Sequence, residues 1–380
     1  MLLKLNEICN FQEGYVNPPQ TNSSYFDGDV KWVRANDVNY SKIYDTSRTL
    51  TQKGFKSAGK SALLFEPNSI VVTKSGTIGR CAIINDYMCG NRAIINVCLK
   101  KNSLIDTLYV YYYLSTLQEY LTTIAVGSVQ KNLYTSILGN VQIDFKSTEE
   151  RQHIVNILGS IDEKIENNEK IINICEEYLR LLYMQKINNS SIFHKSQIKD
   201  IFKIIDNRGK TPPLEIDKTD YPIIDIRTLT SNNRNIIYEN ATKFVDQNTY
   251  NTWFRAGHPK KYDILLSTVG TIGSMKLFNK SNGCIAQNVV AFRCMKNHPL
   301  FYYQQLKAIQ NDLIAYDIGS VQPSIKISQI DKHELVQLEE KVMDAFEYNS
   351  SIITEKIFNL YIVNNKLQNL KQLYLKKFFG

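Results

Sequence analysis

The chain alternates twice between two patterns of hydrophobic and polar positions. Over residues 1–147 and 191–338, short apolar runs rich in β-branched and aromatic residues are separated by Gly, Pro, Asn and Asp. This pattern predicts strands and turns with a few short helices. Short apolar runs suit buried strands, and they occur at Ser69–Thr73, Ala93–Leu99, Asp263–Ser267 and Asn288–Cys294.

A second pattern follows each of these parts, over residues 148–190 and 339–380. Proline is absent, glycine is almost absent, and apolar residues recur at alternating spacings of three and four. This heptad pattern predicts two long helices that pair with each other through a coiled-coil seam. In the first helix the seam positions are Leu158, Ile161, Ile165, Asn168, Ile172, Cys175, Leu179 and Leu182. In the second helix they are Val342, Phe346, Asn349, Ile353, Lys356, Leu360, Val363, Leu367, Leu370 and Tyr374.

Polar residues interrupt this seam at Asn168, Asn349 and Lys356. Buried polar residues of this kind fix the register and orientation of coiled-coil partners. An alternative interpretation is that each stretch is an ordinary amphipathic helix packed against its own globular part. The absence of a break over about 38 residues, roughly 57 Å of helix at 1.5 Å per residue, favours the coiled coil.

Sequence landmarks repeat in the same order in the two halves. Residues 70–79 read IVVTKSGTIG and residues 264–273 read ILLSTVGTIG, an offset of 194. The segment GSVQKNLY at 127–134 has its counterpart in GSVQPSIK at 319–326, an offset of 192. These landmarks indicate a tandem duplication with a unit of about 190 residues. The predicted fold class is therefore α+β, with two mixed α/β domains (1–147 and 191–338) separated and followed by long helices (148–190 and 339–380).

The composition is that of a folded protein. Of the 380 residues, 43% are hydrophobic and 22% are charged, which argues against a disordered chain. No apolar run approaches the roughly 18 residues of a membrane span, and residues 1–20 lack a signal-peptide pattern, so we expect a soluble cytoplasmic protein. The formal net charge of +8 permits a polyanionic partner without requiring one. The seven cysteines form no CxxC pair and have no histidine at ligand spacing, which predicts reduced thiols and no metal site.

Two motifs that suggest catalysis lack the context that they need. GFKSAGKS at 54–61 matches the phosphate-binding pattern GxxxxGK[ST], which works only between a buried strand and a helix. Here residues 47–53 are polar, and Pro67 follows too soon for a full helix. Asn17-Pro18-Pro19-Gln20 resembles the NPPY-type loop of DNA adenine methyltransferases but lacks the aromatic residue that stacks on a flipped base. We therefore expect no catalytic residues in this chain.

Over essentially its whole length, the sequence resembles the specificity (S) subunits of type I restriction–modification systems. The resemblance rests on SGTIG and VGTIG after apolar strands, the two GSVQ segments, Glu-Glu-Arg-Gln at 149–152 and the repeated order of globular part and helix. It implies two target recognition domains, each reading one half of a split DNA sequence, with the helices packed antiparallel as a spacer. The halves differ in most polar residues between the landmarks, so the target is predicted to be asymmetric.

The resemblance also implies what the chain assembles with. Double-stranded DNA, two methyltransferase (M) subunits and restriction/translocase (R) subunits are the expected partners. S-adenosylmethionine, ATP and Mg would be bound by those partner subunits, and no cofactor by this chain. The chain itself would be non-catalytic.

Candidate DNA-binding side chains lie beside the repeated glycine-containing segments. Arg and Gln can pair with base edges, while Lys, Ser and Thr can contact phosphates. In the first half the candidates are Lys74, Ser75, Thr77, Arg80, Arg92, Gln130 and Lys131. In the second half they are Arg208, Lys210, Thr268, Thr271, Gln287, Gln322 and Lys326. For any single one of them, an ordinary solvated surface position is the favoured alternative.

Two other functional classes remain open on the sequence. A self-contained DNA methyltransferase or nuclease would need a cofactor loop and a catalytic motif. A coiled-coil adaptor with two protein-binding modules would show no sequence-dependent DNA affinity and weak salt dependence.

Overall fold

A computed structural model describes the chain in two compact units. Unit 1 comprises Met1–Lys164 and Leu367–Gly380, and unit 2 comprises Ile165–Lys366. The described residues are 1–101, 103–127, 130–191, 194–209, 211–285, 288–319 and 322–380. Within these ranges, no helix combines the length and the apolar character needed to cross a membrane.

The globular part of unit 1 is built from short strands and short helices. Its strands are β1 (Leu2–Lys4), β2 (Cys9–Glu13), β3 (Phe26–Val33), β4 (Lys42–Ile43), β5 (Thr49–Leu50), β6 (Ile70–Thr73), β7 (Cys81–Ile84), β8 (Cys89–Gly90), β9 (Ile94–Leu99) and β10 (Gln142–Asp144). Its helices are α1 (Leu5–Ile8), α2 (Gln52–Lys56), α3 (Leu104–Ser115), α4 (Gln118–Ile124) and α5 (Thr135–Gly139). The long helix α6 (Thr148–Asn188) follows.

Strand β6 is the centre of the larger sheet of unit 1. It pairs antiparallel with β7 and with β9, in a sheet of order β2-β9-β6-β7-β4. Helix α3 covers this sheet, and its residues Tyr109 and Leu114 share one hydrophobic core with Ile70 and Val72. A smaller sheet has the order β5-β3-β8, with β3 and β8 parallel, and β1 pairs with β10. The fully buried β6 therefore holds the loop that follows it in a fixed place.

Unit 2 contains a second set of strands and helices. The strands are β11 (His194–Gln197), β12 (Phe202–Ile205), β13 (Tyr221–Ile224), β14 (Phe244–Val245), β15 (Ile264–Ser267), β16 (Met275–Leu277), β17 (Cys284–Ile285), β18 (Val289–Cys294) and β19 (Glu334–Gln337). The short helices are α7 (Ile198–Ile201), α8 (Gln247–Trp253), α9 (Pro299–Ala308), α10 (Gln310–Ile314) and α11 (Ile327–Ile330). The long helix α12 (Glu340–Phe379) follows them.

The sheets of unit 2 repeat the topology of unit 1. The larger sheet has the order β12-β18-β15-β16, which matches β2-β9-β6-β7 strand for strand. The smaller sheet, β14-β13-β17, again contains a parallel pair, β13 with β17. Among the described residues, β4 alone has no counterpart in unit 2. This shared topology is the result that a tandem duplication predicts.

The four strands predicted from apolar runs are confirmed. The structure has them as β6, β9, β15 and β18, each starting one residue later than predicted and ending at the predicted residue. The residue left out is Ser69, Ala93, Asp263 or Asn288, and none of these is β-branched or aromatic.

The two long helices occupy most of the predicted stretches 148–190 and 339–380. Helix α6 begins after a capping box, because the Ser147 hydroxyl accepts from the Glu150 amide at 3.3 Å and the Glu150 carboxylate accepts from the Ser147 amide at 3.0 Å. The boundary between the compact units falls inside both helices, after Lys164 and after Lys366. The compact units therefore divide the chain differently from the four predicted segments.

Within unit 2, α6 and α12 run in opposite directions. Asn168 donates from Nδ2 to Asn364 Oδ1 at 2.7 Å. Further along α6 and earlier on α12, the rings of Tyr183 and Phe346 meet edge to face at 6.3 Å. The buried apolar residues between these two contacts are Ile172, Leu179 and Ile357.

The α6 and α12 segments of unit 1 are joined by a polar contact. Lys371 on α12 donates from Nζ to Asp162 Oδ1 on α6 at 2.6 Å. The other carboxylate oxygen of Asp162 accepts from the Tyr112 hydroxyl of α3 at 2.9 Å. Asp162 therefore connects both long helices to the globular part of this unit.

The expected seam residues differ in how deeply they lie. On α6, the buried ones are Leu158, Ile161, Ile165, Asn168, Ile172 and Leu179, while Cys175 and Leu182 are half-buried. On α12, Phe346 is buried, and Ile353, Leu360 and Leu367 are half-buried. Leu370 is instead 40% exposed, which corrects its expected place in the seam.

Along α12, every second buried position lies one residue after the position that the heptad pattern predicted. The buried line there consists of Met343, Ser350, Ile357, Asn364 and Lys371, each one position after an expected seam residue. The heptad pattern placed Val363 and Leu370 in the seam, but Asn364 and Lys371 are buried instead because Asn168 and Asp162 satisfy them. The expected polar seam residues Asn349 and Lys356 are exposed. The expected seam positions between the residues of this buried line, at Phe346, Ile353, Leu360 and Leu367, are buried or half-buried. The sequence therefore predicted every second seam position of α12.

Candidate nucleic-acid interface

The loop after β6 has the same conformation as the loop after β15. In unit 1 the Thr73 carbonyl accepts from the Gly79 amide at 2.9 Å, and in unit 2 the Ser267 carbonyl accepts from the Gly273 amide at 2.9 Å. Gly79 and Gly273 have φ angles of +84° and +85°, a left-handed backbone that favours glycine. The SGTIG and VGTIG motifs are thus explained first by a tight turn.

A hydroxyl at the strand end closes each of these loops. The Thr73 hydroxyl oxygen accepts from the Arg80 amide at 3.0 Å. At the equivalent place, the Ser267 hydroxyl accepts from the Ser274 amide at 2.8 Å and donates to the Thr271 carbonyl at 2.6 Å. These bonds fix the direction in which the loop side chains leave the sheet.

The segments that contain GSVQ lie against these loops. The Leu133 amide donates to the Lys74 carbonyl at 2.9 Å, and the Ile325 amide donates to the Thr268 carbonyl at 2.9 Å. In unit 2 the Gly270 amide also donates to the Pro323 carbonyl at 2.9 Å. Described residues that lie more than fifty positions apart in the sequence therefore meet in each unit.

A third segment, just before β9 or β18, also lies against these loops. The Lys74 amide donates to the Ala93 carbonyl at 2.7 Å, and the Thr268 amide donates to the Asn288 carbonyl at 2.8 Å. We call residues 74–80, 91–93 and 130–133 the first loop cluster. Residues 268–274, 288 and 322–326 form the second loop cluster.

In the first loop cluster, four of the candidate side chains are exposed: Thr77, Arg92, Gln130 and Lys131. Ser75 and Arg80 are half-buried. Lys74 is engaged in an ion pair with Glu13, with Nζ 2.6 Å from Oε2 and only 15% of its side chain exposed. Because that ammonium already has a carboxylate partner, Lys74 is not the free phosphate contact that the sequence suggested.

In the second loop cluster, Thr271, Gln322 and Lys326 are exposed. Thr268 is fully buried, so its side chain is not accessible to DNA, which corrects its place among the candidates. Two further candidates, Lys210 and Gln287, lie outside the described residues.

Arg208, the remaining candidate of unit 2, lies outside the second loop cluster and holds a carboxylate. Its Nε and Nη2 donate to both carboxylate oxygens of Asp206, at distances of 2.6 to 3.0 Å. Burial alone would raise the pKa of Asp206, but the hydrogen bonds and charge of Arg208 hold it below the usual value. The guanidinium nitrogens Nε and Nη2 of Arg208 are therefore already hydrogen-bonded within the protein.

The second loop cluster is held by a carboxylate that has no equivalent in unit 1. Asp317 Oδ1 accepts from the amides of Gly319 and Ser324, at 2.9 and 2.8 Å. These backbone hydrogen bonds lower the pKa of Asp317. At an offset of 192 the corresponding residue of unit 1 is Ala125, so the two clusters share a backbone frame but differ in what stabilises it.

Sequence reasoning missed Arg34, which lies next to the first loop cluster. The preceding residue, Val33, accepts at its carbonyl from the Asn91 amide at 3.0 Å. The Arg34 guanidinium lies 5.3 Å from the centre of the Trp32 ring, and its Nη2 donates to the Ser47 hydroxyl at 2.8 Å. No local motif signals this site, because β3 reaches β8 only through sheet pairing.

The motif at 54–61 does not have the geometry of a phosphate-binding loop. Residues 54–61 form the end of α2 and a 3-10 turn at Gly59–Ser61, not a loop between a buried strand and a helix. Among the described residues, no group of three or more His, Cys, Asp or Glu side chains is arranged to hold a metal ion.

The chain is a duplicated α+β domain whose loop clusters present exposed Arg, Gln and Lys side chains, and each copy is followed by a long helix. The chain belongs to the family described as type I restriction modification DNA specificity domain, whose model matches residues 1–177 and 191–345. It therefore contains two tandem DNA-recognition domains and is a non-catalytic specificity subunit.

Relatives with known names agree with this family. The type I restriction enzyme MjaIX specificity subunit of Methanocaldococcus jannaschii is 23% identical over 386 residues, which cover 91% of this chain and 85% of that protein. The EcoprrI specificity subunit of Escherichia coli is 29% identical over 146 residues, 37% of this chain and 33% of that protein. The crystal structure of a type I restriction–modification S subunit from M. genitalium shows the same fold, with a TM-score of 0.60 at 16% identity over 100% of this chain and 96% of that chain.

Proposed function

We propose that each loop cluster reads one half of an asymmetric, two-part DNA target. The observation that carries this proposal is that one backbone frame presents side chains that differ in part between the two units. The exposed Thr77 and Gln130 have identical counterparts in Thr271 and Gln322, but the exposed Lys131 corresponds to Pro323 and the exposed Lys326 corresponds to Tyr134. Because direct readout depends on side-chain donors and acceptors, the two units recognise different half-sites.

An exchange of recognition domains tests this proposal. The chain is expressed with its M subunits, and N6-methyladenine is mapped in the cellular DNA by methylation-aware sequencing. A two-part motif with a fixed gap is expected. Replacing residues 191–338 by the corresponding domain of another specificity subunit should change one half of the motif and leave the other half and the gap intact. The matched control replaces 1–147, which should change the opposite half; a motif unchanged in both halves contradicts the proposal.

We further propose that the long helices form an antiparallel coiled coil that sets the gap and docks the M subunits. The support in unit 2 is a set of apolar side chains on α6 and α12 that remain open to solvent. Ile174, Tyr178 and Leu181 on α6 are 67%, 51% and 52% exposed, and Tyr348 and Ile352 on α12 are 70% and 57% exposed. Apolar side chains concentrated in this way favour a protein partner.

The complete assembly would contain two M subunits and R subunits and would act in the cytoplasm. S-adenosylmethionine, ATP and Mg would be held by those subunits, in keeping with the non-catalytic class of this chain. The docking surface is tested by Ile352→Glu, which should reduce co-purification of M subunits, with the exposed Asn359→Glu on the same helix as the control. Equal recovery of M subunits by the two variants contradicts this surface.

A further inference from the structure

Unit 2 contains a cavity of about 430 Å³ beside helices α6 and α9. Its walls carry amide, hydroxyl and charged groups from α6, from residues 232–233 and from α9. The polar and charged wall residues include Glu176, Arg180, Tyr183, Tyr303, Gln304 and Lys307. Cavities of about 300–1,000 Å³ hold small molecules and cofactors in other proteins, so a nucleotide-sized molecule fits this space.

Three buried side chains of this wall carry polar groups. Tyr183, Tyr303 and Gln304 are 6%, 2% and 6% exposed. None of the polar side-chain atoms of these three residues is among the fully enclosed unsatisfied atoms of the described residues. They line the cavity, so they can offer hydrogen bonds to a molecule that occupies it.

The wall carries two acidic residues, Glu176 and Glu177, and two basic residues, Arg180 and Lys307. Lys307 donates from Nζ to Gln310 Oε1 at 2.9 Å, and among the described residues it has no ion pair. Lys276 is 3% exposed, and its pKa is lowered to about 8, first by burial and then by the charge of Lys307. The charge of Lys307 thus disfavours the charged form of Lys276, and an anion bound by Lys307 would offset this effect.

The acidic groups nearby are already neutralised. Both carboxylate oxygens of Glu176 accept from the guanidinium of the buried Arg234, at 3.0 and 2.9 Å. At the rim, Arg180 and Glu177 form their own ion pair at 2.7 Å. With these pairs subtracted, Lys307 is the one cation of the described wall without an ion pair. The ammonium of Lys276, behind the wall, donates to the carbonyls of Ser231 and Asn233, at 2.5 and 2.9 Å.

The recognition fold does not require these basic residues. Sheet pairing places Lys276 opposite Leu265, and the equivalent pair in unit 1 is Ala82 opposite Val71. Aligned on Gln118 and Gln310, which begin α4 and α10, Lys307 corresponds to Ser115. The same architecture therefore exists in unit 1 without either lysine, so their presence in unit 2 points to a separate role.

We propose that this cavity of unit 2 binds a phosphate monoester of nucleotide size. The three terminal oxygens of such a group match the Lys307 ammonium, the two tyrosine hydroxyls and the Gln304 amide as donors, which is more than a carboxylate can satisfy. This ligand is distinct from the cofactors expected on partner subunits. The proposal does not depend on DNA recognition, because every residue in it lies in the wall of the cavity or directly behind it.

Isothermal titration calorimetry of the full chain without DNA tests the proposal, with adenosine 5′-monophosphate as the probe. Lys307→Met and Tyr303→Phe are each expected to weaken binding about tenfold or more, the loss of one charged or buried hydrogen bond. The matched control is Lys332→Met, an exposed lysine of the same unit, which should bind like the wild type. Inorganic phosphate should bind more weakly than the nucleotide. If Tyr303→Phe fails to fold, Gln304→Leu tests the same wall.

Several results would overturn the proposal. If the wild-type chain gives no heat of binding with millimolar nucleotide, the cavity does not bind the nucleotide and holds only water. An equal loss in Lys332→Met would assign the effect to general charge, and free glutamate binding as tightly as the nucleotide would assign the site to carboxylates. Competitive displacement of the nucleotide by duplex DNA would make the cavity part of the DNA surface.

Discussion

At the residue scale, Arg234 is the most deeply buried charged side chain among the described residues of unit 2. Its side chain is 1% exposed, and Nε and Nη2 donate to the two carboxylate oxygens of Glu176 at 3.0 and 2.9 Å. Its amide donates to the same carboxylate at 2.8 Å, Nη1 donates to the Thr354 hydroxyl, and the guanidinium lies 5.2 Å from the Tyr303 ring. One residue thus ties the globular part of unit 2 to both α6 and α12.

Replacing Arg234 by Met is expected to destabilise the protein strongly. Removal of one partner of a buried ion pair leaves the other charge uncompensated, which lowers the free energy of unfolding by about 3–5 kcal/mol. Urea denaturation measures this change. The control is Arg180→Met, because Arg180 pairs with Glu177 on the exposed face of α6, where an ion pair adds little. Similar losses of unfolding free energy in the two variants would show that burial does not determine how much the Arg234–Glu176 ion pair contributes to stability.

Glu347 gives unit 2 a pH-dependent stability. Its carboxylate accepts from the amides of Leu300 and Phe301 at the start of α9, with distances of 3.1 Å. Burial raises the pKa of Glu347 from 4.5 to about 7, although these amide hydrogen bonds oppose the shift. Because the folded protein holds this proton more tightly than the unfolded chain, the stability contribution is complete below pH 4.5 and is lost as the pH rises through about 7.

The Glu347→Gln variant is expected to lack this decline. Glutamine does not titrate, so the free energy of unfolding of the wild type should fall relative to that of the variant between pH 5 and pH 8. Urea denaturation at several pH values checks the difference. Glu339→Gln, at an exposed position just before α12, serves as the control and should keep the decline of the wild type. Parallel pH profiles for Glu347→Gln and the wild type would exclude Glu347 as the titrating group.

Single residues were predicted less well from the sequence than the loops that carry them. The repeated motifs located both loop clusters, because tight turns require glycine at fixed places. They did not reveal that Lys74 pairs with Glu13 or that Thr268 is buried, since both facts depend on strand pairing between distant segments. Arg234 and Lys276 gave no sequence signal, because their partners lie on other elements.

At the scale of elements, a buried amide pair fixes how α6 and α12 align in unit 2. Asn168 is fully buried, and its Nδ2 donates to Asn364 Oδ1 at 2.7 Å. Among the described residues, the carbonyl oxygen of the Asn168 side chain has no partner. A paired but incompletely satisfied amide favours one register over stronger apolar packing.

A double-mutant cycle on this pair is expected to show strong coupling. Asn168→Leu alone leaves the Asn364 amide buried without its partner, which lowers the free energy of unfolding by about 1–3 kcal/mol. Asn168→Leu together with Asn364→Leu should recover that loss or exceed the wild type, because both polar groups are removed. Urea denaturation of the wild type, both single variants and the double variant measures the coupling. Additive effects would mean that the two amides act independently.

The heptad pattern predicted the long helices well and their contacts less well. Apolar residues on α6 follow one strict repeat, so its seam could be read directly from the sequence. On α12, Asn364 and Lys371 lie in the buried line while Val363 and Leu370 are exposed. Hydrophobicity alone predicts that Val363 and Leu370 are buried and that Asn364 and Lys371 are exposed. It cannot show that Asn168 and Asp162 provide hydrogen-bond partners for the two polar residues.

At the scale of the whole molecule, the duplication was the most predictive feature of the sequence. Repeated landmarks implied equal topologies, and the strand orders β2-β9-β6-β7 and β12-β18-β15-β16 agree. The identity of the recognised bases was not predictable, because it depends on the geometry of exposed side chains in the loop clusters. The number of residues between the two recognition domains, by contrast, is a quantity that can be changed in a controlled way.

Lengthening both long helices by one heptad is expected to widen the gap between the half-sites. Seven residues are inserted after Lys164 in α6 and after Lys366 in α12, where the compact units divide, so that the Asn168–Asn364 and Asp162–Lys371 pairs are kept. Each helix grows by about 10 Å at 1.5 Å per residue, or about three base pairs at 3.4 Å each. Methylation-aware sequencing should therefore find both half-sites unchanged and a gap about three base pairs longer. Insertion into α6 alone, the control, puts these pairs out of register and should abolish methylation. An unchanged gap in the doubly lengthened protein would show that the helices do not measure the target.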